Sequence, residues 1–379
     1  MPAEPGKNVV FLRFCIMNLV VLYTTVALIA YSPAAVIGLV AALALDAVVD
    51  EKLGDTRRNY SRAQVMFLDA TLFLMLPLIV LLALAHATTL SAGDPFGLGA
   101  AVLWLTGYDA LAVRDSIPYA WHVAASIPAG ILYGVAAINV AHELFHRLRS
   151  PTAVITARWL LAFSCDTTFA IEHVYGHHRH VGTPQDPATA RRGETFYRFL
   201  PRSIVGEIGN AFRHEANRLR NRGRPVWSWQ NRAFRGQIMS LAVALAYMHA
   251  AGAWGLLGFL AAAFVGKSYL EATNYIEHYG LVRVPGQRVE ARHSWDSYRK
   301  LTGALLYNLP RHADHHLHAE KAFWHLKAIP EAPVLPYGYQ AMILIALLPG
   351  QYFRVMDPLL RIWDETMASP AERDLIAAS

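Results

Sequence analysis

The sequence predicts an all-α integral membrane protein with six transmembrane helices and a cytoplasmic helical cap. Three observations support this fold class. The chain of 379 residues is 54% hydrophobic and only 16% charged, it contains apolar runs long enough to cross a bilayer, and its basic residues are concentrated in particular connections. Ordinary soluble domains carry roughly 25% charged residues, so the deficit of charge indicates lipid surroundings.

Six apolar segments are predicted as spans, because an α-helix needs about 20 such residues to cross the hydrocarbon core. They cover approximately residues 9–31, 34–49, 65–87, 119–141, 236–252 and 254–272. Segment 96–113 is also apolar, but its three glycines and Asp109 predict an interfacial or re-entrant segment. Segment 341–350 is too short to span and is expected to be a buried or surface-lying helix.

The distribution of basic residues predicts the orientation. The loop at 50–64 carries four basic residues, whereas the 88–118 connection carries only Arg114. Because lysine and arginine are enriched in cytoplasmic loops, the first loop is expected in the cytoplasm. Alternation along the chain then places both termini and the segments 142–235 and 273–379 on the cytoplasmic side, and the arginine-rich run 213–235 agrees with this assignment. A bacterial inner membrane is the expected location.

Composition also excludes several classes. The net charge of +6 follows the pattern of membrane topology, and no fold signature of nucleic-acid binding accompanies it, so no nucleic-acid partner is expected. Two cysteines, Cys15 and Cys165, are too few for a thiolate metal site or a disulfide scaffold. The first apolar segment is too long for a signal peptide and is expected to be a retained helix. Without an internal repeat or a low-complexity linker, residues 1–379 are predicted to form a single membrane domain.

Histidines supply the functional signal. Nine of the 17 histidines fall in four short motifs, all predicted to lie on the cytoplasmic side. These are HELFH with His142 and His146, EHVYGHH with His173, His177 and His178, NYIEHYG with His278, and RHADHH with His312, His315 and His316. Residues four apart share one face of a helix, so both rings of HELFH can reach the same metal ion.

The number of rings predicts two metal ions. Nine imidazoles exceed the four ligands of a typical zinc site. Neutral imidazole suits iron, copper, nickel or zinc, so ligand type alone leaves the element open. HELFH by itself also matches the HExxH motif of zinc proteases, with Glu143 as the general base.

In this order and after these spans, the four motifs resemble those of the integral-membrane histidine-rich di-iron hydroxylases. This family comprises the bacterial membrane alkane monooxygenases and xylene monooxygenases, within the fatty acid desaturase-like superfamily. The resemblance extends over nearly the whole chain and includes the segments HRHVGTPQDPATARRGETFYRFL, HYGLVR, HSWDS and EAPVLPYGYQAMILIALLPGQYFRVMDPLLRIWDE.

The resemblance implies a non-haem centre of two iron ions (Fe2+/Fe3+), with the nine motif histidines as ligands. Such a centre would use O2 to hydroxylate the terminal carbon of an n-alkane or the benzylic methyl group of an alkylarene that enters from the bilayer. The division of the ligands between the two irons stays open. The substrate also stays open: Phe145 stands where alkane enzymes usually have glycine, and RIWDETMASPAER is more similar to the xylene type.

Carboxylates inside the motifs are candidates to accept the second N–H of a metal-bound imidazole, which fixes the orientation of the ring. These are Glu143, Glu172, Glu277 and Asp314. Helix capping or ion pairing is the alternative for each. Weaker candidates of the same kind are Asn139, Asp166, Asp186, Glu271 and Asn274. Three histidines beside the motifs are expected not to ligate, namely His180, His293 and His318. Five others are expected at the surface or at helix ends, namely His86, His122, His214, His249 and His325.

The electron donor is expected to be a separate protein, because no CxxC pair is present to hold an iron–sulfur centre. By resemblance it is a rubredoxin or a ferredoxin-type NADH-dependent reductase. Two other functions remain open: a fatty acid desaturase or oxidative decarboxylase with the same centre, which predicts a cationic anchor for the carboxylate, and a membrane zinc protease. Bulky residues expected along the substrate path are Trp104, Trp121, Phe145 and Phe169.

Overall fold

The computed structural model describes residues 10–31, 38, 39, 41 and 60–378. Regular structure in these ranges is helical, and the one extended pairing there is an isolated bridge between Asp296 and Val334. The all-α prediction is therefore confirmed for the described chain. Its helices are α1 (Ile16–Ile29), α2 (Arg62–Leu90), α3 (Leu98–Thr106), α4 (Ala110–Asp115), α5 (Tyr119–Phe145), α6 (Pro151–Ala162), α7 (Phe169–Glu172), α8 (Phe196–Arg220), α9 (Arg232–His278), α10 (Lys300–Leu305), α11 (His312–Leu317), α12 (Tyr339–Ala346), α13 (Pro349–Thr366) and α14 (Pro370–Ala377).

Within the described residues, four helices are long and apolar enough to cross a membrane: α1 with its preceding turn, α2, α5 and α9. The first three correspond to the predicted spans at 9–31, 65–87 and 119–141. The chain is accordingly an integral membrane protein. The predicted span at 34–49 and most of the loop at 50–64 lie outside the described residues.

Helix α9 contains both of the remaining predicted spans, 236–252 and 254–272. Its backbone leaves the helical conformation at Ala251 (φ −139°, ψ 22°) and at Gly252 (φ 57°, ψ −141°), and the second of these conformations is open essentially to glycine alone. The rings of Tyr247 and Phe259 are 5.1 Å apart, whereas a straight helix would separate them by about 18 Å. The two halves of α9 therefore fold back on each other.

Small residues bring the second half of α9 against α5. A Cβ atom on Gly130 would lie 2.5 Å from the carbonyl oxygen of Ala262, and one on Gly134 would lie 2.8 Å from that of Gly266. Close backbone approach at small residues is a common way for membrane helices to pack, because van der Waals contact replaces the hydrophobic effect there. The contact aligns the ends of the two helices that carry the HELFH and NYIEHYG motifs.

The remaining elements surround these two helices. Helices α7 and α8 pack on each other and α8 packs on α9, while α12 packs on α9 and α13. Segment 96–113 forms α3 and the start of α4, and neither is long enough to span, as predicted. The apolar segment near 341–350 is divided between α12 and the start of α13.

Candidate metal centre

Five of the nine motif histidines form one group around shared space. The Nε2 atoms of His142 and His178 lie 2.9 and 3.0 Å from Nε2 of His173, and Nε2 of His315 lies 3.1 Å from that of His178. The ring of His146 completes the group, with its centre 4.7 Å from the ring of His315. One nitrogen from each of the five rings lies within 4.8 Å of all the others.

The other four motif histidines form a second group by the same criterion. Nε2 of His312 lies at its centre, 3.1 Å from Nε2 of His278 and 3.0 Å from Nε2 of His316. The ring of His177 lies 4.8 Å from that of His278. The two groups adjoin, because the ring centres of His178 and His316 are 4.5 Å apart. All nine predicted ligands are thus brought together, five in one group and four in the other.

A π turn in the second motif distributes its rings between the groups. Residues His173–His177 form this turn, directly after α7. In an α-helix residues four apart are stacked, but the wider π turn brings residues five apart into register. His173 and His178 therefore face the five-histidine group, whereas His177 faces the four-histidine group. The sequence interpretation, which placed His173 one α-helical turn before the adjacent pair, did not predict this division.

The buried ring nitrogens fit metal ions. Nitrogens that face each other at about 3 Å cannot all carry protons, and the buried Nε2 atoms of His146 and His177 have no hydrogen-bond partner in the described part of the chain. Burial lowers the pKa of His173, His312 and His315 well below its ordinary value. These three rings are therefore neutral, which is the form that binds metals. Groups of five and four imidazole donors suit two transition-metal ions.

A buried carboxylate orients one of these rings. Oδ2 of Asp186 accepts a hydrogen bond from Nδ1 of His177 at 2.9 Å and a second one from the Thr189 hydroxyl at 2.6 Å. Because Nδ1 carries this proton, the lone pair of His177 Nε2 is directed into the four-histidine group. The sequence ranked Asp186 only as a weaker candidate for this role.

The four carboxylates ranked first behave differently. Glu143 pairs with Arg147 at 3.0 Å, and Asp314 accepts from Lys321 at 2.6 and 2.8 Å. For both residues the structure has the ion pair that was the alternative. Glu172 is fully buried, but no motif histidine in the described chain donates to it.

Glu277 lies closer to the centre than predicted. Its Oε2 atom is 3.2 Å from Nε2 of His312, the nitrogen that faces the other rings of its group. Its Oε1 atom accepts a hydrogen bond from the Tyr339 hydroxyl at 2.8 Å. Glu277 therefore faces the four-histidine group itself and does not accept an outer N–H as expected.

Asp296 positions the fourth motif and was missed by the sequence interpretation. Its Oδ1 atom accepts the backbone N–H of Ala313 in the first turn of α11 at 2.7 Å, and its Oδ2 atom accepts from the Tyr298 hydroxyl at 2.8 Å. A carboxylate at this place accepts a hydrogen bond from an N–H of the first turn, and its negative charge is stabilised by the positive end of the helix dipole. The available signal was the quoted HSWDS segment, which contains this aspartate.

The histidines outside the two groups separate into two kinds. His180, His293 and His318 lie outside both groups, and His318 bonds Asp314 at 3.0 Å. His249 and His325 are exposed and His214 is half-buried, in agreement with the prediction. His86 and His122 are buried and not at the surface, although each lies near a helix end, four residues before the end of α2 and in the first turn of α5. His86 lies inside the bundle, where its ring nitrogens bond the hydroxyls of Tyr247 and Ser126 at 3.1 Å.

A small cavity of about 30 Å³ lies against both groups of rings, between α5 and the second half of α9. One end is lined by His142, His173, His312 and Glu277. The other end reaches Gly134, which lies about two turns before His142 on α5. The other lining residues are Val135, Ile138, Asn139, Phe169, Tyr269, Leu270, Thr273, Asn274, Leu306 and Leu309. Among these described lining residues there is no lysine or arginine, so the cavity offers no cationic side chain to an anionic ligand.

Of the four bulky residues expected along the substrate path, the structure places two at the cavity or the rings and two elsewhere. Phe169 lines the cavity, and Phe145 packs on the ring of His146 with 5.0 Å between ring centres. Trp104 and Trp121 are 84% and 48% exposed and do not line it. The expectation that these two tryptophans border the path is therefore not supported at the cavity.

Comparison with known proteins agrees with this arrangement. The family profile described as fatty acid desaturase matches residues 117–346, which is more than half of the chain and includes all nine motif histidines. The chain belongs to the fatty acid desaturase family. This confirms the resemblance that the four motifs suggested.

Relatives of this desaturase-family protein include bacterial monooxygenases. It is 41% identical over 239 residues to alkane 1-monooxygenase 1 of Pseudomonas aeruginosa, a match that covers 62% of each chain. It is 38% identical to alkane 1-monooxygenase of Acinetobacter baylyi, over 61% of this chain and 57% of the relative. It is 32% identical to the xylene/toluene monooxygenase hydroxylase component of Pseudomonas putida, over 65% of this chain and 67% of the relative. The chain thus spans less than two thirds of the length of the first two relatives.

Asp186→Asn is expected to lower the metal affinity of this family member about tenfold, because loss of an outer carboxylate weakens the basicity and orientation of the ring it holds. The measurement is metal retained per chain during dialysis against a graded series of chelator concentrations. Asp374→Asn, in the terminal helix α14 and far from the rings in sequence, is the matched control. Equal retention by both variants would contradict the role assigned to Asp186.

Proposed function

We propose that this protein is a membrane non-haem di-iron monooxygenase that hydroxylates an unactivated methyl group of a hydrophobic substrate. The substrate class is an n-alkane, attacked at its terminal carbon, or an alkylarene, attacked at its benzylic methyl group. The observation that carries the proposal is the position of the imidazole groups, five and four rings that meet at the end of a cavity whose described lining contains no lysine or arginine. Relatives named alkane 1-monooxygenase and xylene/toluene monooxygenase support the same chemistry.

The five-histidine group would hold one iron, and the four-histidine group, with Glu277 beside it, would hold the other. When bound, the irons would supply the activation of O2 and the oxidant, which no side chain of this chain provides. The net reaction is RH plus O2, two electrons and two protons giving ROH and water. Asp186 and Asp296 keep the rings oriented, the first through His177 and the second through the start of α11.

The cavity would position the substrate. A methyl C–H bond offers no polarity for an acid or base, so placement depends on shape and apolar contact. From His142 to Gly134 the cavity follows eight residues of α5, at most about 12 Å at the rise of an α-helix, because Tyr133–Ile138 form a wider π turn. An extended hydrocarbon chain lying along this path would present its terminal methyl group to the rings. Ile138, Leu306 and Leu309 would exclude water from it.

The proposal includes a topology and a partner. Six spans would place the four motifs, both termini and the arginine-rich α8–α9 region on the cytoplasmic side of a bacterial inner membrane. The distribution of basic residues supports this orientation. Electrons would come from a rubredoxin or a ferredoxin-type reductase that reaches the rings from the cytoplasm, while the substrate would enter the cavity from the bilayer.

The alternatives receive less support. Desaturation or oxidative decarboxylation of a fatty acid is consistent with the family profile. It requires a cationic anchor for the carboxylate, because an unpaired buried charge is costly, and the described lining of the cavity contains no such group. For a zinc protease, Glu143 should be available as a base, but it is paired with Arg147.

The test is to supply membranes that contain the full chain with an electron-donor protein and 18O-labelled O2. Octane, toluene and dodecanoate are offered separately, and products are identified by mass spectrometry. Hydroxylation puts the label in the alcohol. Desaturation instead yields an alkene and puts the label only in water. An unlabelled product set from all three substrates, at full iron content, would exclude the proposed function.

A further inference from the structure

A second buried polar cluster adjoins the cavity and contains no metal-binding ring. The ammonium group of Lys267 lies 2.8 Å from Oδ2 of Asp166, 2.5 Å from Oε2 of Glu207 and 2.7 Å from Oε1 of Glu271. All four side chains are buried. We call these four residues the Lys267 cluster. They come from α8, from α9 and from the connection between α6 and α7.

The charges of the Lys267 cluster do not balance if every carboxyl group is ionised. Three carboxylates around one ammonium would leave two uncompensated negative charges inside the protein, which burial strongly opposes. Glu172, the other acidic group that faces Glu207, adds to this excess. Burial and the neighbouring Glu271 charge raise the pKa of Glu207 well above its ordinary value, and burial raises the pKa of Asp166 to about 6. The excess of carboxyl groups around one ammonium therefore favours a proton on Glu207.

The Lys267 cluster is connected to the cavity. Nδ2 of Asn274 donates a hydrogen bond to Oε1 of Glu207 at 3.3 Å, and Asn274 also lines the cavity. The Lys267 ammonium lies 5.7 Å from the ring centre of Phe169, which packs on the ring of His173 with 4.8 Å between centres. Glu207 thus lies one side chain away from the space where the rings and the substrate would meet.

We infer that the Lys267 cluster stores protons and releases them through Glu207, past Asn274, to the cavity during the reduction of oxygen. This inference rests on the proposed monooxygenase function. Each turnover consumes two protons and two electrons, one oxygen atom enters the alcohol, and the other leaves as water. The external redox protein supplies the electrons. Glu207 gives up its carboxyl proton, the resulting carboxylate is held by Lys267, and solvent water restores the proton.

A purely structural role, joining α8 to α9, predicts different behaviour. One carboxylate per ammonium is enough for such a link, and a glutamine would preserve it if its carbonyl oxygen accepts from Lys267 and its NH2 group donates to the carbonyl oxygen of a rotated Asn274 side chain. Proton delivery depends on the acid itself. Glu207→Gln therefore separates the two roles because shape is retained while the proton is lost.

The experiment compares Glu207→Gln with Glu215→Gln in the full-length protein, with its iron and its electron donor. Glu215 is buried on the same face of α8, eight residues further along, and pairs with Arg218 and Arg232. For Glu207→Gln we expect a roughly tenfold lower kcat, smaller than the effect of a direct general acid because Glu207 does not touch the reacting atoms. KM and iron content should stay unchanged, and more hydrogen peroxide should escape per alcohol formed. The parent is expected to lose rate at alkaline pH as Glu207 loses its proton, and this loss should be absent in Glu207→Gln. Glu215→Gln should leave these quantities as in the parent.

An infrared measurement keeps the inference testable apart from turnover. The carbonyl absorption of protonated carboxylic acids shifts in D2O, and part of that absorption should be missing in Glu207→Gln and present in Glu215→Gln. The inference is overturned if an iron-replete Glu207→Gln protein has the kcat, the ratio of peroxide to alcohol and the pH profile of the parent. That result would leave the proposed hydroxylation itself intact. If the parent protein itself forms no labelled alcohol, the proposed function fails, and the infrared result still decides whether Glu207 carries a proton. Should Glu207→Gln not fold, Glu271→Gln is compared in the same way.

Discussion

Replacement of His312 by alanine is expected to remove metal from the four-histidine group and to lower hydroxylation by at least about 1,000-fold, because the metal supplies the chemistry. His312 is the central ring of its group, with Nε2 of His278 and of His316 at 3.1 and 3.0 Å and Oε2 of Glu277 at 3.2 Å. Without this ring, the group loses the nitrogen that lies nearest to both His278 and His316. The measurements are iron per chain by elemental analysis and labelled alcohol formed from octane.

His318→Ala is the matched control, since His318 lies two residues beyond the RHADHH motif and is outside both groups. Its ring bonds Asp314 and is 49% exposed, so we expect activity within about twofold of the parent, as for surface substitutions generally. The same pair of variants tests the protease alternative. A zinc protease that used HELFH would keep its activity in His312→Ala, and full iron content in that variant would contradict the assignment of the four-histidine group.

Much of this centre could be predicted because it depends on local spacing and on hydropathy. The i, i+4 spacing of His142 and His146, and that of His312 and His316, places rings on one face of a helix. Apolar length identifies α1, α2 and α5 as spans. The chain order of the motifs after the spans then brings rings from distant segments to the same end of the bundle. These inferences require no knowledge of how side chains pack.

The division of the rings could not be predicted in this way. It depends on the π turn at His173–His177, an irregularity that apolar periodicity does not encode. The partners of carboxylates are also set by tertiary packing. Arg147 competes with the rings for Glu143, and Lys321 competes with them for Asp314. Asp186 reaches His177 only because the intervening chain turns back. The chain reverses at Gly252 in α9, and the sequence analysis placed the boundary between the predicted spans 236–252 and 254–272 at the same point.

His86 shows the limit of judging polar residues from position in a span. This histidine near the end of an apolar run was expected at the surface or at a helix end. In the structure the hydroxyls of Tyr247 and Ser126, from two other helices, satisfy both ring nitrogens, so burial costs little. Partners that are remote in sequence decide whether a polar group is buried, and they are invisible to a local pattern.

The size of the cavity is expected to select among hydrocarbons, and Val135→Phe tests this at the end remote from the rings. Val135 is buried, lines the cavity and lies about two helical turns before His142 on α5. A phenyl ring there fills space that a long chain needs but that a short substrate seated near the rings does not. We expect the rate of octane hydroxylation relative to that of toluene to fall about 100-fold, within the range that pocket size alone can discriminate.

Toluene turnover and iron content serve as internal controls for this variant, because overfilling a packed interior costs about 1–3 kcal/mol and could loosen the whole bundle. Val123→Phe provides a matched substitution, since Val123 is on the same helix but is 43% exposed and outside the cavity. It should leave the octane-to-toluene ratio as in the parent. Equal ratios for Val135→Phe and Val123→Phe would mean that the substrate lies elsewhere. A selective loss of octane turnover would instead place the hydrocarbon chain between α5 and α9, with its reacting methyl group toward the two groups of rings.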